Sequence, residues 1–299
     1  ELISHLPALA GDTPPLLGRP ASPGERVITI PANDHIVDHA CTLLAALRLG
    51  LPEEALASLW QGHPTPAILQ RLLKAAGLVD AAGQPLAEPV RAFLESERGD
   101  ALAMLWRAWL GSAEFNELRL LPGLSAEGEW KNDPLAARKA VMSFLPYTAQ
   151  GRIVDERLVV QAAYWSLGSL VNAVPQAEPD FQRPLGDYES WYLRDLATGE
   201  YVTGFENWER VDGAIIHYLI SGPLYWLGVR DLAAPAEGAA PAAFRYSRWA
   251  PQLLQGLPPP GLAKEEAPII ARSDGKLWAP RYAPRSARYQ LARFCDWGG

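Results

Sequence analysis

The sequence has little of several features that define particular classes of protein. Its 299 residues include only two cysteines, Cys41 and Cys295, which are too few and too far apart for a disulfide framework. The most apolar stretch, 214–229, is interrupted by His217 and Pro223, so it does not predict a membrane span. No secretory signal opens the chain. We therefore expect a cytoplasmic protein in a reducing compartment, with no membrane partner.

Signatures of catalysis and of cofactor binding are also missing. The chain has no Gly-x-x-x-x-Gly-Lys-Ser/Thr phosphate loop. His35 and His39 have the i, i+4 spacing of a zinc arm, but Ile36 stands where a metalloprotease needs glutamate. The flanking Asp34 and Asp38 also fit the N-cap and first turn of a helix, which is the interpretation we favour. We expect no enzyme activity, metal, cofactor or small-molecule substrate.

An excess of positive charge, typical of nucleic-acid coat proteins, is absent from the chain as a whole. The net charge is −7. Residues 240–299 nevertheless hold nine basic residues against four acidic ones, a net charge of +5, which leaves −12 for the first 239. Attraction for phosphate should therefore be concentrated in the last sixty residues. The alternative is that these arginines pair with acidic residues of the remaining chain.

Helical periodicity dominates the first half. It predicts helices over 34–49, from Pro52 to about Gln61, and from Thr65 through the segment LQRLLKAAGLV at 69–79. A turn at 80–84 and a return segment follow. Three short helices, a strand, a tight turn and a return predict a winged-helix-like module, and a generic helical bundle is the alternative. A long helix over 100–121 should connect this module to the next.

The second half repeats this pattern with larger spacing. An apolar helix meets a glycine and a short strand both at Gly77 and at Gly228, and a closing helix completes each copy. We also predict a helix from Val154 to Val171 and a solvated, charged helix face formed by Glu206, Glu209, Arg210 and Asp212. Tryptophan is more often a core residue than a surface residue. We therefore predict that six tryptophans are buried: Trp106, Trp109, Trp165, Trp191, Trp208 and Trp226.

The predicted fold is therefore mainly α with small β-hairpins (α+β), with tandem winged-helix-like modules joined by a long helix. We divide the chain into an extended arm or tail of a missing domain at 1–33, module 1 with its connecting helix at 34–121, module 2 at 122–256, and a linker, hairpin and helix of a truncated domain at 257–299. Because it starts at Glu1 instead of Met and stops just after a helical pattern, we expect a piece of a longer protein.

The segments YLRDLATGEYVTGFENWERVDGAIIHYLISGPLYWLGVRDLA (192–233) and IIARSDGKLWAPRYAPRSARYQLARFCDW (269–297) carry a family resemblance. They resemble bacterial helicase-associated proteins with an XPB-like helicase N-terminal region. Shared features are the Gly-Pro-Leu-x-Trp-Leu-Gly segment at 222–228 and a block of strand, Asp-Gly turn, strand and Arg-Phe. The resemblance implies winged-helix modules and a role in DNA transactions, but not the motor.

The predicted partner is DNA, with a protein partner as the alternative. The third helix of a winged-helix module enters the major groove, and basic residues of the wing contact phosphate. Arginine and glutamine suit base edges, and lysine suits phosphate. The predicted nucleic-acid-binding residues are Gln70, Arg71, Lys74, Arg245, Arg248, Arg281, Arg285 and Arg288. In the alternative, the chain is a protein–protein interaction scaffold whose modules do not touch nucleic acid.

Overall fold

The computed structural model describes residues 17–60, 62–145 and 163–295. Its α-helices are α1 (His35–Arg48), α2 (Glu53–Ala57), α3 (Pro66–Ala75), α4 (Ala87–Glu95), α5 (Arg98–Gly111), α6 (Pro134–Ser143), α7 (Leu167–Ala177), α8 (Ala214–Ser221), α9 (Pro223–Trp226), α10 (Ala250–Leu253) and α11 (Arg285–Leu291). Its strands are β1 (Ile28–Ile30), β2 (Leu124–Ala126), β3 (Trp165–Ser166), β4 (Leu193–Asp195), β5 (Arg230–Ala234), β6 (Ala243–Tyr246), β7 (Ile270–Ala271) and β8 (Leu277–Trp278). The structure combines α-helices with small antiparallel sheets, so this coarser part of the predicted fold is confirmed.

The chain forms two compact units. Unit 1 comprises the residues up to Ala32 together with Ala113–Gln255, and unit 2 comprises Asn33–Ser112 together with the residues from Gly256 onward. The hairpin and helix that follow the proline-rich linker therefore belong to the same unit as the first module. The sequence predicted a separate, truncated domain for this segment, because its local composition does not indicate which part of the chain it packs against.

Unit 2 is a helical unit whose core is formed by the apolar faces of α1, α3, α4 and α5. α3 and α4 are amphipathic and bury the side that carries their large apolar residues, whereas α1 and α5 are buried around most of their circumference. The largest fully buried side chains here include Trp106 and Trp109, whose ring centroids lie 5.2 Å apart. α11 packs on α1 and α4 and buries Tyr289.

A short hairpin follows α3. Gly77 ends the helix with φ +65°, a left-handed conformation that glycine adopts without steric cost. The amide of Leu78 then donates to the carbonyl of Leu73 at 2.9 Å, as in a Schellman motif. Val79 and Pro85 form an antiparallel bridge, and the turn between them is closed by hydrogen bonds around Asp80. α4 begins directly after this hairpin.

The same local geometry recurs in unit 1. Gly228 has φ +81°, and the amide of Val229 donates to the carbonyl of Leu224 at 2.9 Å. An antiparallel pair, β5 with β6, follows, and α10 comes after it. The two copies thus share a helix end, a hairpin and a closing helix, in the order that the repeated sequence pattern predicts.

Unit 1 contains a four-stranded antiparallel sheet with the order β1-β5-β6-β3. β1 pairs with β5 from Ile28 opposite Ala234 to Ile30 opposite Leu232, so part of the segment predicted as an extended arm is a sheet strand. The first sixteen residues of that arm lie outside the described residues. β2 and β4 form a separate two-stranded sheet.

Four predictions differ from the structure. The helix predicted from Pro52 to about Gln61 ends at Ala57. The helix predicted over 100–121 ends at Gly111, and a 3-10 turn at Glu117–Leu120 follows. The helix predicted over 154–171 lies partly outside the described residues, and within them Trp165 and Ser166 form strand β3, because they pair with β6. Asp212 is not on a solvated face but is 0% exposed. The six tryptophans predicted as core are all buried, so that prediction is confirmed.

Candidate nucleic-acid interface

Helix α3 carries three of the predicted DNA-contacting residues. Thr65 caps it, since its hydroxyl accepts a hydrogen bond from the Ile68 amide at 3.4 Å, and Pro66 occupies the first turn. Leu69, Leu72 and Leu73 are buried and hold the helix on the core of unit 2. The opposite face is exposed and carries Arg71 and Lys74.

Gln70 has a different environment from its two basic neighbours. It is half-buried, and a β-carbon built on Gly83 would lie 2.6 Å from its Nε2 atom. The glutamine therefore packs against the turn of the short hairpin instead of projecting into solvent. That turn contains Asp80, whose carboxylate accepts a hydrogen bond from the Gln84 amide at 2.8 Å, and residues 78–86 include no lysine or arginine.

The corresponding helix of unit 1 does not present an exposed basic face. α9 is one turn long, and its Pro223, Leu224 and Trp226 are buried. Of the two arginines predicted from the hairpin that follows, Arg245 is ion-paired across the strands with Asp231 at 2.9 Å. Its guanidinium also lies 4.7 Å from the centroid of the Tyr164 ring. Arg248 is exposed and lies over Trp249.

The remaining predicted arginines contact carboxylates within unit 2. Arg281 donates to Asp38 at 2.8 Å and also to Asp34. Arg288 donates to Asp38 at 2.9 Å. Arg285, whose side chain is 0% exposed, is ion-paired with Glu265 at 2.9 Å and donates to the carbonyl of Ser96. These three side chains therefore take part in internal ion pairs. Arg281 and Arg288 pair with an acidic residue of the first 239, as in the alternative stated above, whereas Arg285 pairs with Glu265 inside the last sixty residues.

Arg98 lies at the centre of this arginine–carboxylate cluster, and sequence reasoning missed it. Its side chain is 1% exposed and contacts Asp34 at 2.6 Å, Asp38 at 2.7 Å and Glu265 at 2.8 Å. Burial by itself would lower the pKa of Arg98, but the bonds to Asp38 and Asp34 outweigh it and raise that pKa. No local pattern marks residue 98, because its partners are 60 or more positions away in the chain.

The cluster also changes the interpretation of the two aspartates at the start of α1. Asp34 stands at the N-cap, but its side chain makes no capping hydrogen bond and contacts arginines instead. Burial would raise the pKa of Asp38, but hydrogen bonds from Arg98, Arg281 and Arg288 outweigh it and lower the pKa to about 2. Both carboxylates are therefore partners of guanidinium groups.

The two histidines of α1 are not arranged with other ligands around a common point. The His39 ring stacks on Trp60 with centroids 4.6 Å apart, while the rings of His35 and His39 are 6.4 Å apart. Burial lowers the pKa of both histidines. Within residues 17–60, 62–145 and 163–295, no group of three or more His, Cys, Asp or Glu side chains could hold a metal ion.

A second buried ionic site lies in unit 1, at a π-helical turn over Glu209–Gly213. The Asp212 carboxylate accepts hydrogen bonds from Gln182 at 2.8 Å and from Arg183 at 3.0 Å. Burial raises the pKa of Asp212, and the Arg183 guanidinium opposes that rise. Because Arg183 also lies over the Trp191 ring, this site joins the loop before β4 to the turn that leads into α8.

Comparisons with known proteins add no family to this description. No protein-family model, curated protein or solved structure matches the chain. The resemblance to helicase-associated proteins therefore stays a prediction. In the part of the chain that the structure describes, no helix is both long enough and apolar enough to cross a membrane.

Proposed function

We propose that this chain is a non-enzymatic, DNA-associated region of a larger, helicase-linked protein, built from two winged-helix-like modules. The order of elements in unit 2 supports the first module: three helices, a short antiparallel hairpin and a closing helix, α4. The observation that carries the proposal is the exposed face of α3. α3 is the third helix of unit 2, the place in the element order that the recognition helix takes in such a module, and its charged residues, Arg71 and Lys74, are both basic.

The proposed contact uses the two basic residues in different ways. They are three positions apart on one helix, so both side chains project from the same face. Arginine can donate two parallel hydrogen bonds to a guanine edge or to a phosphate, whereas lysine acts as a point charge on phosphate. Gln70 supports this face indirectly in our proposal, because it packs against the hairpin turn at Gly83.

The proposed interface is smaller than the one that the sequence predicts. Arg281, Arg285 and Arg288 are assigned a structural role, since each contacts a carboxylate of unit 2. With two phosphate-directed cations on α3, we expect weak duplex binding that depends on salt, without strong sequence preference. Such affinity suits an accessory region that acts beside a motor on the same DNA.

The test is fluorescence anisotropy with a labelled 20-base-pair duplex, at salt concentrations between about 50 and 200 mM. The variant Arg71→Gln/Lys74→Gln should weaken binding and reduce the slope of log affinity against log salt by about 1.8, because each phosphate contact contributes about 0.9. The control is Arg91→Gln, an exposed arginine of α4 that is paired with Glu88. It should leave the slope unchanged.

A protein-interaction scaffold is the second candidate, and exposed apolar side chains of unit 1 favour it. Leu185 is 92% exposed, Leu196 66% and Phe205 52%, so a partner that covered them would gain hydrophobic free energy. The same titrations separate the two candidates. Duplex binding that is lost in the α3 variant supports DNA contact, whereas no binding at 50 mM salt refutes it and leaves the scaffold. Binding that is insensitive to the α3 variant refutes the interface assigned here.

A further inference from the structure

The hairpin of β7 and β8 in unit 2 is exposed on both of its faces. Every residue from Ile270 to Ala279 is exposed to solvent. Ile270 lies opposite Trp278, and Ala271 lies opposite Leu277. Nearer the tip, the amide of Arg272 donates to the carbonyl of Lys276 at 2.9 Å, and the turn at Asp274-Gly275 closes the hairpin. The side chains of this hairpin are therefore not required for packing in the core of unit 2.

One face of this hairpin combines an aromatic ring with two cations. Side chains two positions apart along a strand point to the same face, so Trp278 shares a face with Lys276, and Ile270 shares it with Arg272. The indole is 51% exposed and Ile270 is 44% exposed. The cations lie about 7 Å along the strands from the apolar pair, which is the rise of two strand residues. The opposite face carries the smaller set of Ala271, Ser273 and Leu277.

This arrangement costs stability in the isolated unit. Arg272 and Lys276 are like charges directly opposite each other, which destabilises an antiparallel pair. The neighbouring carboxylate of Asp274 lies 3.8 Å from the Lys276 ammonium, but both side chains are more than half exposed, so the pair contributes little. A large exposed indole adds an apolar surface that water solvates poorly. A ligand that brings negative charge and a flat ring would remove both costs.

We propose that this face binds single-stranded DNA, with Trp278 stacking on a base and with Arg272 and Lys276 contacting the adjoining phosphates. The inference rests on the proposed function, because both require a nucleic-acid partner, but it assigns a different surface and a different form of DNA. Bases in a duplex are covered by their neighbours, whereas an unpaired base offers its face to an aromatic side chain. An accessory region of a helicase-linked protein would meet such a strand beside the duplex that α3 contacts.

The test measures anisotropy of a labelled 15-nucleotide oligothymidylate and, in parallel, of the labelled duplex. Trp278→Ala should weaken binding to the single strand by about 5- to 140-fold, the range that loss of one stacking contact produces. Trp278→Phe keeps a ring and should stay within a few-fold of the wild type. Arg272→Gln/Lys276→Gln should reduce the salt slope for the single strand by about 1.4, since each contact contributes about 0.7.

The matched control is Leu277→Ala, which removes an exposed apolar side chain from the opposite face of the same hairpin. It should bind the oligothymidylate within about twofold of wild type, and an unchanged circular dichroism spectrum should accompany each variant. Three results would overturn the inference: no single-strand binding at 50 mM salt, Trp278→Ala within twofold of wild type, or an equal loss in Leu277→Ala. If duplex binding still depends on Arg71 and Lys74 in those cases, the proposed function stands and only the hairpin assignment fails.

Discussion

Replacing Arg98 with methionine removes the guanidinium group that lies between three carboxylates of unit 2. Methionine keeps an unbranched side chain of similar length, so the packing of α5 should change little while the charge is lost. Asp34, Asp38 and Glu265 are then left with less positive charge around them, although their side chains are only 10–14% exposed. The decrease in the free energy of unfolding should therefore be larger than the decrease that follows removal of an exposed ion pair.

The structure sets the expected size of the effect. Breaking a buried ion pair by removing one partner costs about 3–5 kcal/mol, because the other charge stays buried without compensation. Here Arg281 and Arg288 still contact the two aspartates, and Arg285 still contacts Glu265, so the lower end of the range is expected. A loss of about 3 kcal/mol corresponds to a decrease of roughly 6–12 °C in Tm.

The pH dependence gives an independent measure of the same contacts. Because the folded-state pKa of Asp38 is lowered to about 2, its contribution to the free energy of unfolding is complete above the unfolded pKa near 4 and is lost as the pH falls toward 2. Without Arg98, the pKa of Asp38 should rise. Wild type and variant should therefore differ most above about pH 5 and converge as the pH falls toward 2.

The assay is urea unfolding followed by circular dichroism, repeated between pH 3 and pH 7. Arg91→Met is the control, since its ion pair with Glu88 is exposed, and its Tm should stay within about 2 °C of wild type. The double variant Arg98→Met/Asp38→Asn should lose less than the sum of its two single variants, because it removes both charges. If Arg98→Met is as stable as Arg91→Met, or if its deficit does not change with pH, the cluster does not stabilise the fold as argued here.

Two further predictions concern other parts of unit 2. Gly83 has φ +81°, so Gly83→Ala should lower the free energy of unfolding by about 1–2 kcal/mol in urea melts. The control is Gly111→Ala, which lies in a helix with open space around it and should be neutral or slightly stabilising. Equal effects of the two substitutions would contradict the role given to the backbone of Gly83. Burial raises the pKa of the Cys41 thiol to about 11, so Cys41 should react slowly at pH 8. A chromogenic disulfide reagent should titrate only Cys295 rapidly in the native protein and both thiols after denaturation. Two rapidly reacting thiols in the native protein would contradict the burial of Cys41.

The elements that sequence patterns predicted well are those with local causes. Thr65 and Pro66 start α3, and Gly77 ends it with a left-handed residue, all within twelve positions. The same holds at Gly228, where a repeated sequence pattern corresponds to a repeated helix end and hairpin. The preference of large aromatic side chains for the core also identified the buried tryptophans, whether they lie on helices, as Trp106 does, or on a strand, as Trp165 does.

Elements with distant partners were not predictable in this way. β3 is too short to show a strand pattern, and it is a strand because β6 lies beside it. Burial of Asp212 depends on Gln182 and Arg183 in another segment. Its charged neighbours Glu209 and Arg210 are exposed as predicted, but they wrongly indicated that Asp212 is exposed too. The long helix predicted after α4 ends at Gly111, where the chain turns to enter unit 1.

The candidate site shows the same division. Composition alone located the excess of arginine in the last sixty residues, and the spacing of α3 identified its exposed basic face. Only the tertiary structure decided that Arg281, Arg285 and Arg288 contact Asp34, Asp38 and Glu265 around the buried Arg98. The physical reason is that helix periodicity and turn chemistry act over a few residues, whereas an ion pair forms between whichever opposite charges the packed chain brings within about 4 Å, whatever their separation in sequence.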